Sequence, residues 1–147
     1  MKIDFDEIIR NLESKANSIY YNNEKLRDIV ERVKSIVENN PELKKVIEEI
    51  KLFIDLIRDW LRKDYREVSQ TSILMIIIAF LYLLNPFDLI PDFLAAGLID
   101  DIAVIAYIFR KIKEEVEAYR KWRDKKETVD IIEVEGEVID SEEDKNQ

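Results

Sequence analysis

The feature that most constrains this chain is an unbroken apolar run from Ile73 to Leu84, within the segment SQTSILMIIIAFLYLLNP. A helix made of this run has no polar face left for water, so it is buried on all sides in protein or it enters lipid. At about 1.5 Å per residue the helix is roughly 20 Å long, whereas the hydrocarbon core of a bilayer is roughly 30 Å thick. The run is therefore too short for a simple membrane span.

Composition favours helices for the rest of the chain. The 147 residues include only two glycines and three prolines, so there is little turn chemistry for a sheet of many strands. The spacing of apolar residues predicts two amphipathic helices, or one bent helix, over residues 3–21 and 26–37. A third helix is predicted to begin with Asn40 as N-cap and Pro41 at the first helical position, and to end near Tyr65.

A second largely apolar segment, residues 99–109, follows a loop rich in aspartates and leads into a charged stretch that keeps an apolar stripe. We predict one helix from Asp100 to Lys125, with its first half buried and its second half solvated. Together with the first apolar run it forms an antiparallel hairpin. The predicted fold is all-α, with about five helices in a small bundle around this buried helical hairpin.

Charge is unevenly distributed along the chain. Residues 124–147 hold ten Asp and Glu against three Lys, so they carry −7 of the net charge of −9. Segment 127–147 shows a brief alternation of apolar and acidic residues and then only polar ones, which predicts a flexible, mostly disordered acidic tail. We expect amphipathic N-terminal helices over 1–68 and the hairpin domain over 69–126, joined in one compact unit that precedes this tail.

The absence of cysteine and histidine removes many kinds of chemistry. Disulfides, thiolate and imidazole metal ligands, and nucleophiles activated by histidine all need one of these residues. We therefore expect a protein that is not an enzyme and has no cofactor. The acidic charge argues against a nucleic-acid partner. The charged N-terminus, MKIDFDEIIR, lacks the apolar run of a secretory signal, which predicts a cytoplasmic protein.

The aspartate loop has the pattern of helix caps. Asp88 is placed to cap a short helix over residues 89–96, and Pro91 falls in its first turn, where a missing N–H costs nothing. Gly97 is a natural left-handed stop, and Asp100 or Asp101 can cap the final helix.

A metal site is the alternative interpretation of the same aspartates. Carboxylates alone can bind Mg²⁺, Mn²⁺ or Ca²⁺, so four of them meeting in one pocket would suffice. The pattern is not that of a regular calcium-binding loop, and we favour the capping interpretation. The candidate metal ligands are Asp88, Asp92, Asp100 and Asp101.

These residues also carry a resemblance. The segment YLLNPFDLIPDF, followed by GLIDDIAVI, resembles the signature of the YkvA-like bacterial proteins, the family called domain of unknown function 1232. The matching positions are Pro86, Asp88, Leu89, Ile90, Pro91, Asp92, Gly97, Asp100 and Asp101. One departure is LAAGLI, where members often carry a further proline before the glycine. The resemblance implies a small helical protein of a family with many membrane-associated members, and it names no activity and no catalytic residue.

Two main functional hypotheses follow, and a third is less favoured. The first is a non-catalytic helical interaction or scaffold protein that binds a protein partner or self-associates. The second is a membrane-associated protein that inserts the hairpin of residues 73–109 from the inner face of the cell membrane, because basic residues flank both open ends of that hairpin. They are Arg62, Lys63 and Arg66 before it and Arg110, Lys111 and Lys113 after it. The third is a protein that binds a divalent metal through the loop aspartates.

Overall fold

The computed structural model describes residues 4–84 and 101–126, and over these residues the protein is all-α, as predicted. No strand occurs within the two ranges. The predicted short helix over 89–96 and the acidic tail of residues 127–147 lie outside them. The helices are α1 (Phe5–Tyr20), α2 (Asn23–Asn39), a 3₁₀ helix (Pro41–Val46), α3 (Ile47–Leu61), α4 (Gln70–Leu84), α5 (Asp101–Lys111) and α6 (113–126).

The first two helices are separate, and each has its own N-cap. The Asp4 carboxylate accepts a hydrogen bond from the Glu7 amide at 3.1 Å, which satisfies one of the free N–H groups at the start of α1. The Asn22 side chain accepts one from the Lys25 amide, also at 3.1 Å, at the start of α2. These caps resolve the alternative left by the sequence in favour of two helices.

The third predicted helix has the expected start and an earlier end. Its first turns are the 3₁₀ helix, which begins at Pro41 as predicted. Asn40 occupies the N-cap position, as predicted, but its side chain makes no capping hydrogen bond to this helix and donates instead to the Ile36 carbonyl of α2 at 2.8 Å. Helix α3 then ends at Leu61, before the predicted end at Tyr65, because Lys63 adopts a left-handed conformation with φ 66°.

Helix α4 lies at the centre of the core and holds the apolar run. Eleven of its residues are buried, and α1, α2 and α5 pack against it. The two N-terminal helices turn one apolar stripe each toward the interior. These stripes are Ile8, Leu12, Ala16 and Ile19 in α1, and Leu26, Ile29, Val30 and Val33 in α2. Among the helices in the described ranges, none has both the length and the hydropathy required to cross a bilayer.

The predicted final helix is present as two helices with a one-residue break at Ile112. Backbone hydrogen bonds continue through the break, from the Ile112 amide to the Ile108 carbonyl and from the Val116 amide to the Ile112 carbonyl, at 3.2 and 3.1 Å. The chain divides into two compact units between Val116 and Glu117. In the described part of the second unit, residues 117–126 are helical.

Candidate functional site

Most of the residues singled out by the sequence fall in the gap between the two described ranges. The motif positions from Pro86 to Asp100 lie outside the described residues, and Asp101 is the first residue of α5. Capping and metal binding by these aspartates therefore stay predictions. Within residues 4–84 and 101–126, no three or more Asp or Glu side chains are grouped so that they could hold a metal ion.

The start of α4 carries a polar cluster built on Glu115. The Ser69 amide and hydroxyl donate to the two carboxylate oxygens of Glu115, at 2.9 and 2.8 Å. The buried Ser72 hydroxyl also donates to this carboxylate, and the Ser72 amide donates to the Ser69 hydroxyl at 3.1 Å. Ser69 thus caps α4, and a negative charge lies at the positive end of the helix. The cluster joins the beginning of α4 to the first turn of α6, which follows α5.

A second cluster joins the beginning of α1 to the end of α5. The Tyr107 hydroxyl donates to Asp6 Oδ1 at 2.6 Å, and Lys111 Nζ donates to the same oxygen at 3.1 Å. The ring of Tyr107 stacks on Phe5, with ring centroids 4.7 Å apart and planes 17° apart. We call Asp6, Tyr107 and Lys111 the Asp6 cluster.

The charges of the Asp6 cluster fix its protonation at neutral pH. The hydrogen bond from Tyr107, assisted by that from Lys111, holds the pKa of Asp6 below its usual value. The bond to Asp6 raises the pKa of Tyr107 and that of Lys111 above their usual values. All three shifts move titration away from neutrality, whereas a general acid or base works best with a pKa near the operating pH. The cluster is therefore suited to holding two helices together and not to proton transfer.

A recess lies between α2 and α3, with a volume of about 300 Å³. Three arginines and one glutamate line it, and two aliphatic residues complete its wall. We call it the arginine recess, and its lining residues are Arg27, Val30, Glu31, Arg58, Leu61 and Arg62. Arg58 Nη2 donates to Glu31 Oε1 at 2.8 Å, and this bond lowers the pKa of Glu31. The surplus of positive charge makes the recess a candidate binding site for an anion.

A second recess of about 220 Å³ continues along the same pair of helices. It is lined by Lys34, Val37, Glu38, Lys51, Ile54, Asp55 and Arg58. The shared residue Arg58 joins it to the arginine recess, and the order of the lining residues shows that α2 and α3 run antiparallel. Its three cationic side chains face two carboxylates, so its surplus of positive charge is smaller.

Aromatic side chains gather where α1 and α3 end. The rings of Tyr20 and Trp60 have centroids 5.3 Å apart, and the Arg66 guanidinium lies 4.6 Å above the Trp60 ring. Tyr21, which follows Tyr20 in the chain, is 75% exposed, and its hydroxyl accepts a hydrogen bond from the Gln70 side chain at 3.3 Å. Trp60 is only two residues from Arg58 and Arg62, so aromatic and basic groups share the end of α3.

None of these sites was found from the sequence, although parts of their signals are present in it. Ser69 and Ser72 stand just before an apolar run, which is the usual place for an N-cap. Arg58 and Arg62 are four residues apart, which places them on one face of a helix. Glu115, which bonds to both serines, and Arg27, which lines the same recess as the two arginines, are distant in sequence, and only the packing of the helices brings them near.

Comparisons with known proteins agree with the resemblance seen in the motif. Residues 72–107 match the family model described as "Protein of unknown function (DUF1232)". The protein named "Uncharacterized membrane protein YkvA" of Bacillus subtilis (strain 168) is 42% identical over 72 residues, which are 48% of this chain and 68% of that relative. No solved structure matches the chain. The protein therefore belongs to the YkvA-like family, the domain of unknown function 1232.

Proposed function

We propose that the protein is a non-catalytic helical interaction or scaffold module, in which α4 is the core that holds the outer helices in place. The burial of α4 supports this proposal most strongly, because α1, α2 and α5 pack against the apolar run and shield it from water without lipid. The polar clusters on Glu115 and Asp6 add to the support, since each connects helices of the bundle.

The cost of exposing α4 favours a protein core over a lipid insert. For residues 73–109 to enter a bilayer, α1 and α2 would have to leave α4 and lose the cover of their own apolar stripes. Ile8, Leu12, Leu26 and Ile29 are each at most 4% exposed. Burial of each such side chain contributes about 1.5–3 kcal/mol, so four of them approach the whole stability of an ordinary domain, about 5–15 kcal/mol.

The surface of the bundle suits recognition by polar and charged groups. Tyr21 is the one large apolar or aromatic side chain that is exposed among the residues the structure describes. A partner protein, or a second copy of the chain, would therefore be recognised mainly through charges, hydrogen bonds and this single aromatic anchor. The acidic segment 127–147 is a further candidate for contact with a partner, and we propose no nucleic-acid partner.

Membrane association is a second candidate, and the name of the Bacillus subtilis relative favours it. The bond between Ser69 and Glu115 places the two basic flanks of the hairpin, residues 62–66 and 110–113, at the same end of the α4–α5 pair. Basic side chains at one end could meet anionic headgroups at the inner face of the cell membrane while α4 stays inside the protein. This peripheral mode requires no opening of the bundle.

Fractionation of the untagged protein from its host tests the proposal. Membranes are washed first with high salt and then treated with detergent, and the protein is followed in each fraction. We expect recovery before the detergent step, in the soluble fraction for a module free of membranes or in the salt wash for one held by charge. Release by detergent alone would mean that the 73–109 hairpin lies in lipid, and it would contradict the proposal.

A further inference from the structure

We propose that the arginine recess between α2 and α3 binds a phosphomonoester group. The inference rests on the proposed function, in that it names the chemistry recognised by one surface of the helical module. The recess is built from two facing helices, and its charge surplus is greater than that of the neighbouring recess.

Three arginines from two helix segments line the same recess. Arg58 lies in the last turn of α3, and Arg62 directly follows the last residue of that helix. Arg27 comes from the first half of α2, which runs antiparallel to α3. Glu31, one turn after Arg27, accepts a hydrogen bond from Arg58 Nη2. An arginine has five N–H donors, so this bond occupies one donor of Arg58 and fixes the position of its guanidinium group.

The chemistry of the lining favours phosphate over other anions. A guanidinium group is planar and presents paired N–H donors that match two oxygens of a phosphate, and it stays protonated at physiological pH. A phosphomonoester carries up to two negative charges near neutral pH, which matches a recess with three cations and one anion. Val30 and Leu61 supply an apolar wall for the carbon chain that the phosphate esterifies.

The size of the recess sets the scale of the ligand. A volume of about 300 Å³ is at the lower end of the range of small-molecule sites, roughly 300–1,000 Å³. It suits a phosphate with a short stem, such as a small soluble ester or the headgroup of an anionic lipid. Both sources present the same group, so the test uses one probe from each.

The experiment measures binding of the full chain to two probes. Glycerol 3-phosphate is titrated by calorimetry, and sedimentation measures binding to phosphatidylcholine vesicles with and without phosphatidic acid. We expect binding to at least one phosphomonoester probe, and a loss of about tenfold in affinity for Arg27→Gln and for Arg62→Gln. Binding to glycerol 3-phosphate identifies a soluble source, and binding to phosphatidic acid vesicles alone identifies a lipid headgroup.

Two further variants separate a built site from general charge. Lys44→Gln combined with Lys45→Gln removes two positive charges from exposed positions of the 3₁₀ helix, outside the recess, and should leave the affinity unchanged. Arg62→Lys keeps the charge but loses the paired donors, so its affinity should fall below that of the native chain. This variant also keeps the test valid if a glutamine variant fails to fold.

Three results would overturn the inference. They are no binding to either probe, equal affinity for the native chain and the Arg27→Gln/Arg62→Gln double variant, and an equal loss in the lysine control. Each would leave the helical module proposal standing, because recovery before the detergent step supports that proposal whether or not the arginines bind a phosphate.

Discussion

The Glu115 carboxylate accepts hydrogen bonds from both the backbone amide and the hydroxyl group of Ser69, at 2.9 and 2.8 Å. Ser69 precedes the first residue of α4, and Glu115 follows the last residue of α5 by one helical turn. The contact therefore fixes the open end of the α4–α5 pair. It also gives α4, the most apolar of the described helices, a charged cap at the end where its amides lack partners.

Removal of this cap should destabilise the fold by an amount typical of N-caps. We expect Glu115→Ala to lower the free energy of unfolding by about 1 kcal/mol, measured by urea denaturation. Glu114→Ala is the matched control, because Glu114 is the neighbouring residue, has the same charge and is exposed. The control should change the stability by less than about 0.5 kcal/mol. Equal losses in the two variants would show that Glu115 has no capping role.

The Asp6 cluster should make the stability of the fold vary with pH in the acid range. Because Tyr107 and Lys111 hold the pKa of Asp6 below its usual value of 3.8, ionised Asp6 stabilises the folded state above that pH. The contribution is lost as the pH falls through the lowered pKa. We expect Asp6→Asn to be less stable than the native chain at pH 7 and equally stable well below pH 3.8, by urea denaturation at each pH.

At alkaline pH the stability contributed by the same cluster should fall as the pH rises. The raised pKa values of Tyr107 and Lys111 mean that their contributions are complete below the usual values of 10.0 and 10.5. They are lost as the pH rises through the raised values. Glu13→Gln, on an exposed face of α1, is the control and should show a difference from the native chain that does not follow this profile. A constant difference between Asp6→Asn and the native chain at every pH would contradict the prediction.

The sequence predicted the helices better than it predicted their contacts. An apolar run with no polar face has few alternatives to burial, so the position of α4 could be derived from Ile73 to Leu84 alone. The N-cap position of Asn40 was predicted correctly, but its side chain bonds to the preceding helix, because an asparagine can complete one helix as well as cap the next. The contacts Ser69–Glu115 and Tyr107–Asp6 join residues far apart in sequence, and local periodicity holds no information about such pairs.

The stability losses of variants on α4 should show whether this helix is packed in a protein core. Ile77 is fully buried, whereas Leu74, on the same helix and of the same size, is partly exposed. We expect Ile77→Ala to cost about 2–5 kcal/mol in the free energy of unfolding, since it leaves a cavity among packed side chains. Leu74→Ala should cost clearly less. Both variants are measured on the purified protein in detergent-free buffer. Equal small losses of stability would mean that the Ile77 side chain is not packed in a protein core.

The loop aspartates allow a test of capping against metal binding. We expect Asp88→Asn combined with Asp92→Asn to lower the stability only by an amount typical of caps, about 1 kcal/mol or less, whether or not a chelator is present. Thermal unfolding with Mg²⁺, Mn²⁺ or Ca²⁺, and with EDTA, gives the comparison. A metal site would behave differently, because bound ions stabilise the folded state and the ligands must be charged to hold them. Stabilisation of the native chain by one of these cations, lost in the double variant, would replace the capping interpretation with the metal site.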